Sequence, residues 1–286
     1  MRCALAMVVI LAACGGKKDD SSATGNEPHK LTTAELVARG KYLAALGGCG
    51  GCHEADYAGG LEVPEPFGTW RSPNITPDEA TGIGTWSDDQ ILQGIREGVR
   101  PDGSHMYPIM PYLLYNRLTD SDGRALVAFL RALPAVGRTS PPNQLELPQP
   151  HAAIPANEPD FTDDPYRHGE YLAAVMLCSH CHATPGGDPS KAFAGGMKLD
   201  GVVAPNITSD RATGIGTWTE EQIAQALQTM TRPDGRVIQG PMQLMLTGWS
   251  QMTAPDRGAV AAYIHQLPPV KNPVQASTLP PATPAH

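Results

Sequence analysis

A chain of 286 residues accommodates two ordinary domains and little more, and a hydrophobic content of 41% lets each bury a core. Aromatic residues make up only 6% while Gly (30) and Pro (28) abound, which suits small helical domains wrapped around a large bound group and suits an extended sheet poorly. The net charge of −8 argues against a nucleic-acid partner, whose phosphates need a basic surface, and is compatible with docking to a basic protein.

The first element is an address. One Arg precedes a short apolar run that ends in small residues, so 1–13 reads as a secretory signal peptide, too short to span a bilayer as a helix. Leu11-Ala12-Ala13-Cys14 resembles a bacterial lipobox, which implies cleavage before Cys14 and lipidation at that residue. Residues 14–30 are polar and rich in Gly, Ser and charge, as a flexible tether should be. No later stretch is apolar and long enough for a transmembrane helix, so the mature chain is expected on the periplasmic side of a bacterial membrane, held by its lipid.

Beyond the tether the chain is written twice. Gly40-Lys41-Tyr42-Leu43-Ala44-Ala45 recurs as Gly169-Glu170-Tyr171-Leu172-Ala173-Ala174, and Cys49-Gly50-Gly51-Cys52-His53 as Cys178-Ser179-His180-Cys181-His182. Pro73-Asn74-Ile75-Thr76 returns as Pro205-Asn206-Ile207-Thr208, the run Thr81 to Trp86 as Thr213 to Trp218, and Arg100-Pro101-Asp102-Gly103 as Arg232-Pro233-Asp234-Gly235. Leu133-Pro134 closes one copy and Leu267-Pro268 the other. The order never changes and the spacing drifts by only a few residues, which is the mark of a duplicated unit. Two tandem domains follow, at 31–137 and 165–271. Six prolines make 138–164 a stiff linker, and 272–286 reads as a disordered tail.

Each copy is expected to be all-α, with three helices. In the first copy they run from about Thr33 to Leu46, onward from Ser87, and from Asp120 to Leu133. In the second they run from Tyr166 to Leu177, onward from Thr219, and from Pro255 to Leu267. Acids open both middle helices, where they complement the helix dipole, and Leu126, Phe129, Leu130 and Leu133 share one helical face. No alternating strand run is visible.

The cysteine pairs carry the chemistry. Two thiols three positions apart can both add to the vinyl groups of one porphyrin, and a histidine directly after the second thiol lies beneath the iron, so Cys49, Cys52 and His53, and again Cys178, Cys181 and His182, read as covalent attachment sites for two haem c groups. A zinc site would gather both pairs into one small unit, and a thioredoxin-like motif would sit in a βαβ context. Once Cys3 is removed with the signal and Cys14 is capped, no cysteine is left for a disulfide. Methionine opposite histidine is the electron-transfer pairing, because soft thioether sulfur favours Fe(II). Met110 and Met242 fall at matching places after the repeated turn, whereas Met106 matches Ile238, so Met110 and Met242 are the expected iron ligands, with Met245 as the alternative to Met242.

These motifs, followed by Pro108-Ile109-Met110-Pro111-Tyr112 and a last helix ending Leu-Pro, resemble a class I cytochrome c domain. From about Gly40 to Val270 the chain is similar to the cytochrome subunits of membrane-bound bacterial alcohol and gluconate dehydrogenases. The resemblance implies that the carbonyls of Pro73 and Pro205 accept a hydrogen bond from the ligating histidines. It also implies that Asn74 and Asn206 belong to the same cofactor-binding loops, that Trp86 and Trp218 donate to haem propionates, and that Gly40 and Tyr42, with Gly169 and Tyr171, let the first helix pack on the last at Phe129 and Tyr263. Those subunits typically carry three haem motifs and a membrane segment; here there are two motifs, and Gly240-Pro241-Met242-Gln243-Leu244 departs from the first copy.

An electron carrier is the function this suggests, relaying electrons between a dehydrogenase or respiratory complex and a small cytochrome or terminal oxidase. The alternative is a dihaem redox enzyme, peroxidase-like or thiosulfate-oxidising, which would need an open iron or a cysteine ligand.

Overall fold

The computed structural model describes residues 31–65, 67–146, 164–185, 187–199 and 201–275. The signal peptide, Cys14 and the tether, together with 147–163 of the linker and 276–286 of the tail, lie outside the described residues.

α1 (Thr33–Leu46) starts where Thr32 caps it. The Thr32 hydroxyl accepts from Glu35 N and the Glu35 carboxylate accepts from Thr32 N, a reciprocal capping box. One helical turn, α2 (Cys49–Cys52), follows Gly48, whose φ of 70° turns the chain sharply between the two helices. A hairpin comes next, β1 (Glu62–Glu65) antiparallel to β2 (Gly68–Arg71), with Glu62 opposite Arg71. α3 (Asp88–Glu97) is boxed by Ser87 and Gln90, α4 (Tyr112–Tyr115) is a single turn, and α5 (Asp120–Ala132) is capped by Thr119.

The second copy repeats this order. α6 (Pro165–Val175), α7 (Cys178–Cys181), the short hairpin of β3 (Lys198–Leu199) and β4 (Val202–Val203), and α8 (Glu220–Thr229) lead to a 3-10 turn at Gly240–Met245, then α9 (Leu246–Trp249) and α10 (Ala254–His265). The chain is thus helical with little sheet. Both hairpins escaped the sequence reading because strands of four and two residues are too short to show alternation. The single turns α4 and α9 are likewise below what periodicity can reveal.

First and last helices of each copy cross at glycine. A Cβ at Gly40 would collide with the Ala125 carbonyl, and one at Gly169 with the Ala259 carbonyl, so only glycine lets these backbones approach so closely. Around those crossings Leu43, Leu46, Leu126, Phe129 and Leu130 are buried in the first copy, and Leu172, Val260, Tyr263 and Ile264 in the second. Each such side chain contributes roughly 1.5–3 kcal/mol by leaving water.

The copies also meet each other, and here the two repeated tyrosines do more than pack. The Tyr42 hydroxyl donates to Asp256 on α10 at 2.5 Å, and the Tyr171 hydroxyl donates to Asp122 on α5 at 2.7 Å. Each aspartate also receives a side chain from its own copy. Arg39 grips Asp122 through two bonds of 2.8 Å, and His168 Nε2 lies 2.7 Å from Asp256. Buried Trp249 adds a bond from its indole N–H to the Leu46 carbonyl at 2.9 Å.

Residues 138–146, assigned above to the linker, strap the first copy. Asn143 exchanges bonds with the Arg71 backbone, Glu146 N donates to the Phe67 carbonyl, and Arg138 pairs with Asp56 at 2.7 Å. In the second copy Asn272, the first residue assigned to the tail, donates through its side chain to the carbonyls of Ala194 and Gly195.

Candidate functional site

Each Cys-x-x-Cys forms one helical turn behind a left-handed residue, Gly48 in the first copy and Leu177 (φ 60°) in the second. Leu177 holds that angle without glycine's freedom, so the second copy carries local backbone strain the first avoids. The turn ends at His53 or His182, both buried to 7% exposure.

The histidines are oriented by the loop that returns beneath them. His53 Nδ1 lies 2.8 Å from the Pro73 carbonyl and His182 Nδ1 lies 2.8 Å from the Pro205 carbonyl. A carbonyl can only accept, so each Nδ1 carries the proton and each Nε2 keeps its lone pair. Burial lowers the pKa of both rings, with the carbonyl bond opposing it more weakly, which favours the neutral, ligating form. Pro73 and Pro205 owe their positions to the asparagines beside them. Asn74 donates to Thr81 Oγ1 and the Val136 carbonyl and accepts from Thr76; Asn206 repeats the pattern with Thr213, Val270 and Thr208. Both amides are therefore spent on the protein, and the asparagines brace the proline loops.

The four thiols are free. Burial pushes Cys49 and Cys178 up to about 12, with the second cysteine of each motif adding to the effect. Burial, and then the charge of Cys52, raise Cys181.

Both cysteine pairs, both histidines and the prolines and asparagines that brace them border one cavity of about 1790 Å³. That exceeds the usual range for a small-molecule cleft, about 300–1,000 Å³, and its walls are mainly apolar. Met110 and Met242 line it, as do Trp86 and Trp218. Met106 and Met245 also reach it, but the Met245 sulfur lies against Gly48 of the first copy, while Met252 is buried away from the walls.

Two arginines that the sequence reading used only as turn markers also line the cavity. Arg100 donates to the His105 carbonyl at 2.7 Å. Arg232 lies 5.8 Å from the Trp218 ring centroid, and its buried Nε has no hydrogen-bond partner, with Asp234 Oδ2 at 3.6 Å. A buried, unsatisfied guanidinium N–H at the wall of an apolar cavity wants an anion. Their signal was present in the sequence, since the arginine itself recurs at the matching place.

These features suit a haem in each copy: paired thiols on one turn, a pre-oriented neutral imidazole, a thioether on the same cavity, apolar walls and a cationic edge for propionates. Among the described residues no cluster of three or more His, Cys, Asp or Glu is placed to hold a metal ion by itself. No helix among the described residues is long and apolar enough to cross a membrane.

Comparison with known proteins points the same way. The family model for cytochrome c matches residues 37–134. The cytochrome c subunit of the quinone alcohol dehydrogenase of Komagataeibacter europaeus is 33% identical over 267 residues, covering 82% of this chain and 56% of that subunit. The fructose dehydrogenase cytochrome subunit of Gluconobacter japonicus is 31% identical, covering 93% of this chain and 58% of its own length. This chain thus spans little more than half of those subunits. The dihaem c-type cytochrome of Cereibacter sphaeroides is 31% identical over 294 residues, covering 93% of this chain and 97% of that protein.

Proposed function

Because this chain belongs to the c-type cytochromes, we propose that it is a two-haem electron-transfer protein in which each copy, 31–137 and 165–271, is a cytochrome c domain. Haem iron supplies reversible one-electron chemistry at each centre. The chain's own residues do the rest. Cys49 and Cys52, and Cys178 and Cys181, anchor the two groups through thioether bonds. His53 and His182, oriented by the Pro73 and Pro205 carbonyls, would offer Nε2 to the iron. Met110 and Met242, on the wall of the same cavity, would supply thioether sulfur to the iron, which would raise the potential. Trp86, Trp218, Arg100 and Arg232 steady the propionate edges and lower the cost of burying their charge.

The observation that carries this reading is the matched pair of buried histidines, each tied by Nδ1 to a proline carbonyl at 2.8 Å beside its own cysteine pair. The copies are clasped to each other through Asp122 and Asp256, which keeps two centres at a fixed separation and favours transfer between them over exchange with solution.

The partners we infer are a dehydrogenase or respiratory complex as donor and a small cytochrome or terminal oxidase as acceptor. The relatives named as dehydrogenase subunits support that placement. The N-terminal sequence supports export and attachment to a membrane by lipid on Cys14. Replacing Cys14 by Ser should release the protein into the soluble exported fraction, and retention in membranes would refute the anchor.

Spectra test the central reading against a dihaem enzyme. Closed His/Met ligation predicts low-spin ferric haem at both centres by EPR and no carbon monoxide binding on reduction. A resting high-spin haem would assign one copy to catalysis instead.

A further inference from the structure

The lead into the first attachment turn is held by other residues at four successive positions. Leu46 and Gly47 end α1, where carbonyls lack partners within the helix, and Leu46 is fully buried. The Leu46 carbonyl accepts the Trp249 indole N–H at 2.9 Å, and the Gly47 carbonyl accepts the Tyr115 hydroxyl at 2.7 Å. The flanking contacts are as close. A Cβ on Gly248 would come within 2.0 Å of the Ala45 carbonyl oxygen, and one on Gly48 within 2.9 Å of the Met245 sulfur. Cys49 follows directly. Of the residues that make these contacts, Met245, Gly248 and Trp249 belong to the second copy.

Duplication alone would not put them there. Tyr115 and Trp249 are the last residues of α4 and α9 and occupy matching places. Tyr115 serves its own copy, whereas Trp249 crosses to the other. The chain leading to them also differs in length. Tyr112 starts α4 two positions after Met110, and Leu246 starts α9 four positions after Met242. The extra residues fall in the 3-10 turn Gly240–Met245, whose last member is the one that reaches Gly48.

Met245 and Trp249 both line the cavity beside Gly47, Gly48 and Cys49, and Trp249 is only 3% exposed. An apolar shell controls how far water reaches a metal site, and burial is one of the levers on a haem potential, because low polarity disfavours the more highly charged ferric state. Contacts at successive residues also keep the turn that carries both thiols and His53 in one geometry.

We propose that Met245 and Trp249 are positioning residues of the first haem centre, supplied by the second copy: their segment holds the Cys49–Cys52 turn and shuts water out of the first site. This rests on the two-haem reading above and adds that the first site is incomplete without the second copy.

The test is a potentiometric titration of the haem-loaded full chain, followed by visible spectra, with the ferric centres recorded by EPR. C49A/C52A, which keeps only the second attachment pair, and C178A/C181A, which keeps only the first, assign the two redox waves. W249L should lower the first-centre wave, changing its Fe(II)/Fe(III) ratio at fixed potential at least tenfold, which is ~59 mV for one electron. It should also shift the EPR g values of that centre. W249F keeps a buried ring and loses only the N–H, and should recover most of the change. M245Q sets an amide beside Gly48, should lower the same wave, and decides the matter by itself if W249L does not fold. The second-centre wave should stay in place in all three variants, and T247A, an exposed change on the same helix, should move neither wave. Equal movement of both waves would reduce these residues to general packing. Movement of the second wave alone would give them to the second centre, and unchanged waves would show a first site closed without them. Each of these results overturns the proposal. Unsubstituted protein that shows no reducible haem bands would instead defeat the two-haem reading itself.

Discussion

The two copies use the same aspartate in the same helix, yet hold it differently. Asp122 is bound by Arg39, a fixed charge with a bidentate grip, and Asp256 by His168 through one bond. In both cases the remaining carboxylate capacity is filled by a tyrosine from the other copy. Burial pushes Asp256 up, but the bonds from His168, Tyr42 and Thr253 outweigh it and hold its pKa down at about 2. Burial, helped by Asp256, drives Tyr42 up to about 12, so that hydroxyl stays a donor at any working pH. The duplicated scaffold fixes where the clasp lies, and the local residues decide how it responds to conditions. The same division appears in the attachment turns, where glycine at Gly48 becomes strained Leu177.

The largest break expected in this symmetry is chemical. M110A should lower one reduction potential and open one iron to carbon monoxide while the other centre keeps its values, and M242A should do the reverse. Potentiometric titration with carbon monoxide difference spectra checks both, and unchanged potentials would reject the ligand concerned. Next come the helix crossings. G40A and G169A each force a methyl into a backbone carbonyl and should cost about 3 kcal/mol or more, read by denaturant unfolding.

A smaller effect is expected at the clasp. Y42F and Y171F each remove a hydrogen bond to a carboxylate and should cost about 1.5–3 kcal/mol, read by thermal melts. The Asp256 clasp also has a pH signature. Because its folded pKa is depressed, it adds stability above the ordinary aspartate value of roughly 3.9, and that contribution fades as pH falls through about 4 toward 2. D256N should flatten this acid limb of the stability curve. The smallest effects belong to the caps: S87A and T219A should each cost about 1 kcal/mol, with the two values alike because both are capping boxes.

Much of this arrangement is legible before any coordinates. The first, middle and last helices of each copy begin within a residue or two of their sequence positions, because caps such as Thr32, Ser87, Thr119 and Thr253 act locally. The cysteine–histidine turns and the methionines could be singled out because duplication filters chance. What stayed hidden depends on distant partners. Tyr42 meets Asp256 across 214 residues of sequence, and Arg39 meets Asp122 across 83, separations at which no periodicity speaks. The strap role of 138–146 was hidden for another reason. Its prolines do exclude helix, but extended backbone can as well lie along a hairpin as bridge two domains. Arg100 and Arg232 recur in the sequence at matching places, but a turn motif does not say where its first side chain points, and only the fold shows that both reach the cavity wall.

The account depends most on both copies holding the same covalent group. Intact mass spectrometry of the natively matured protein, paired with peptide mapping, measures this directly. Two tetrapyrrole additions, one on the Cys49–Cys52 peptide and one on the Cys178–Cys181 peptide, are the predicted result. A single addition, or none, would contradict it.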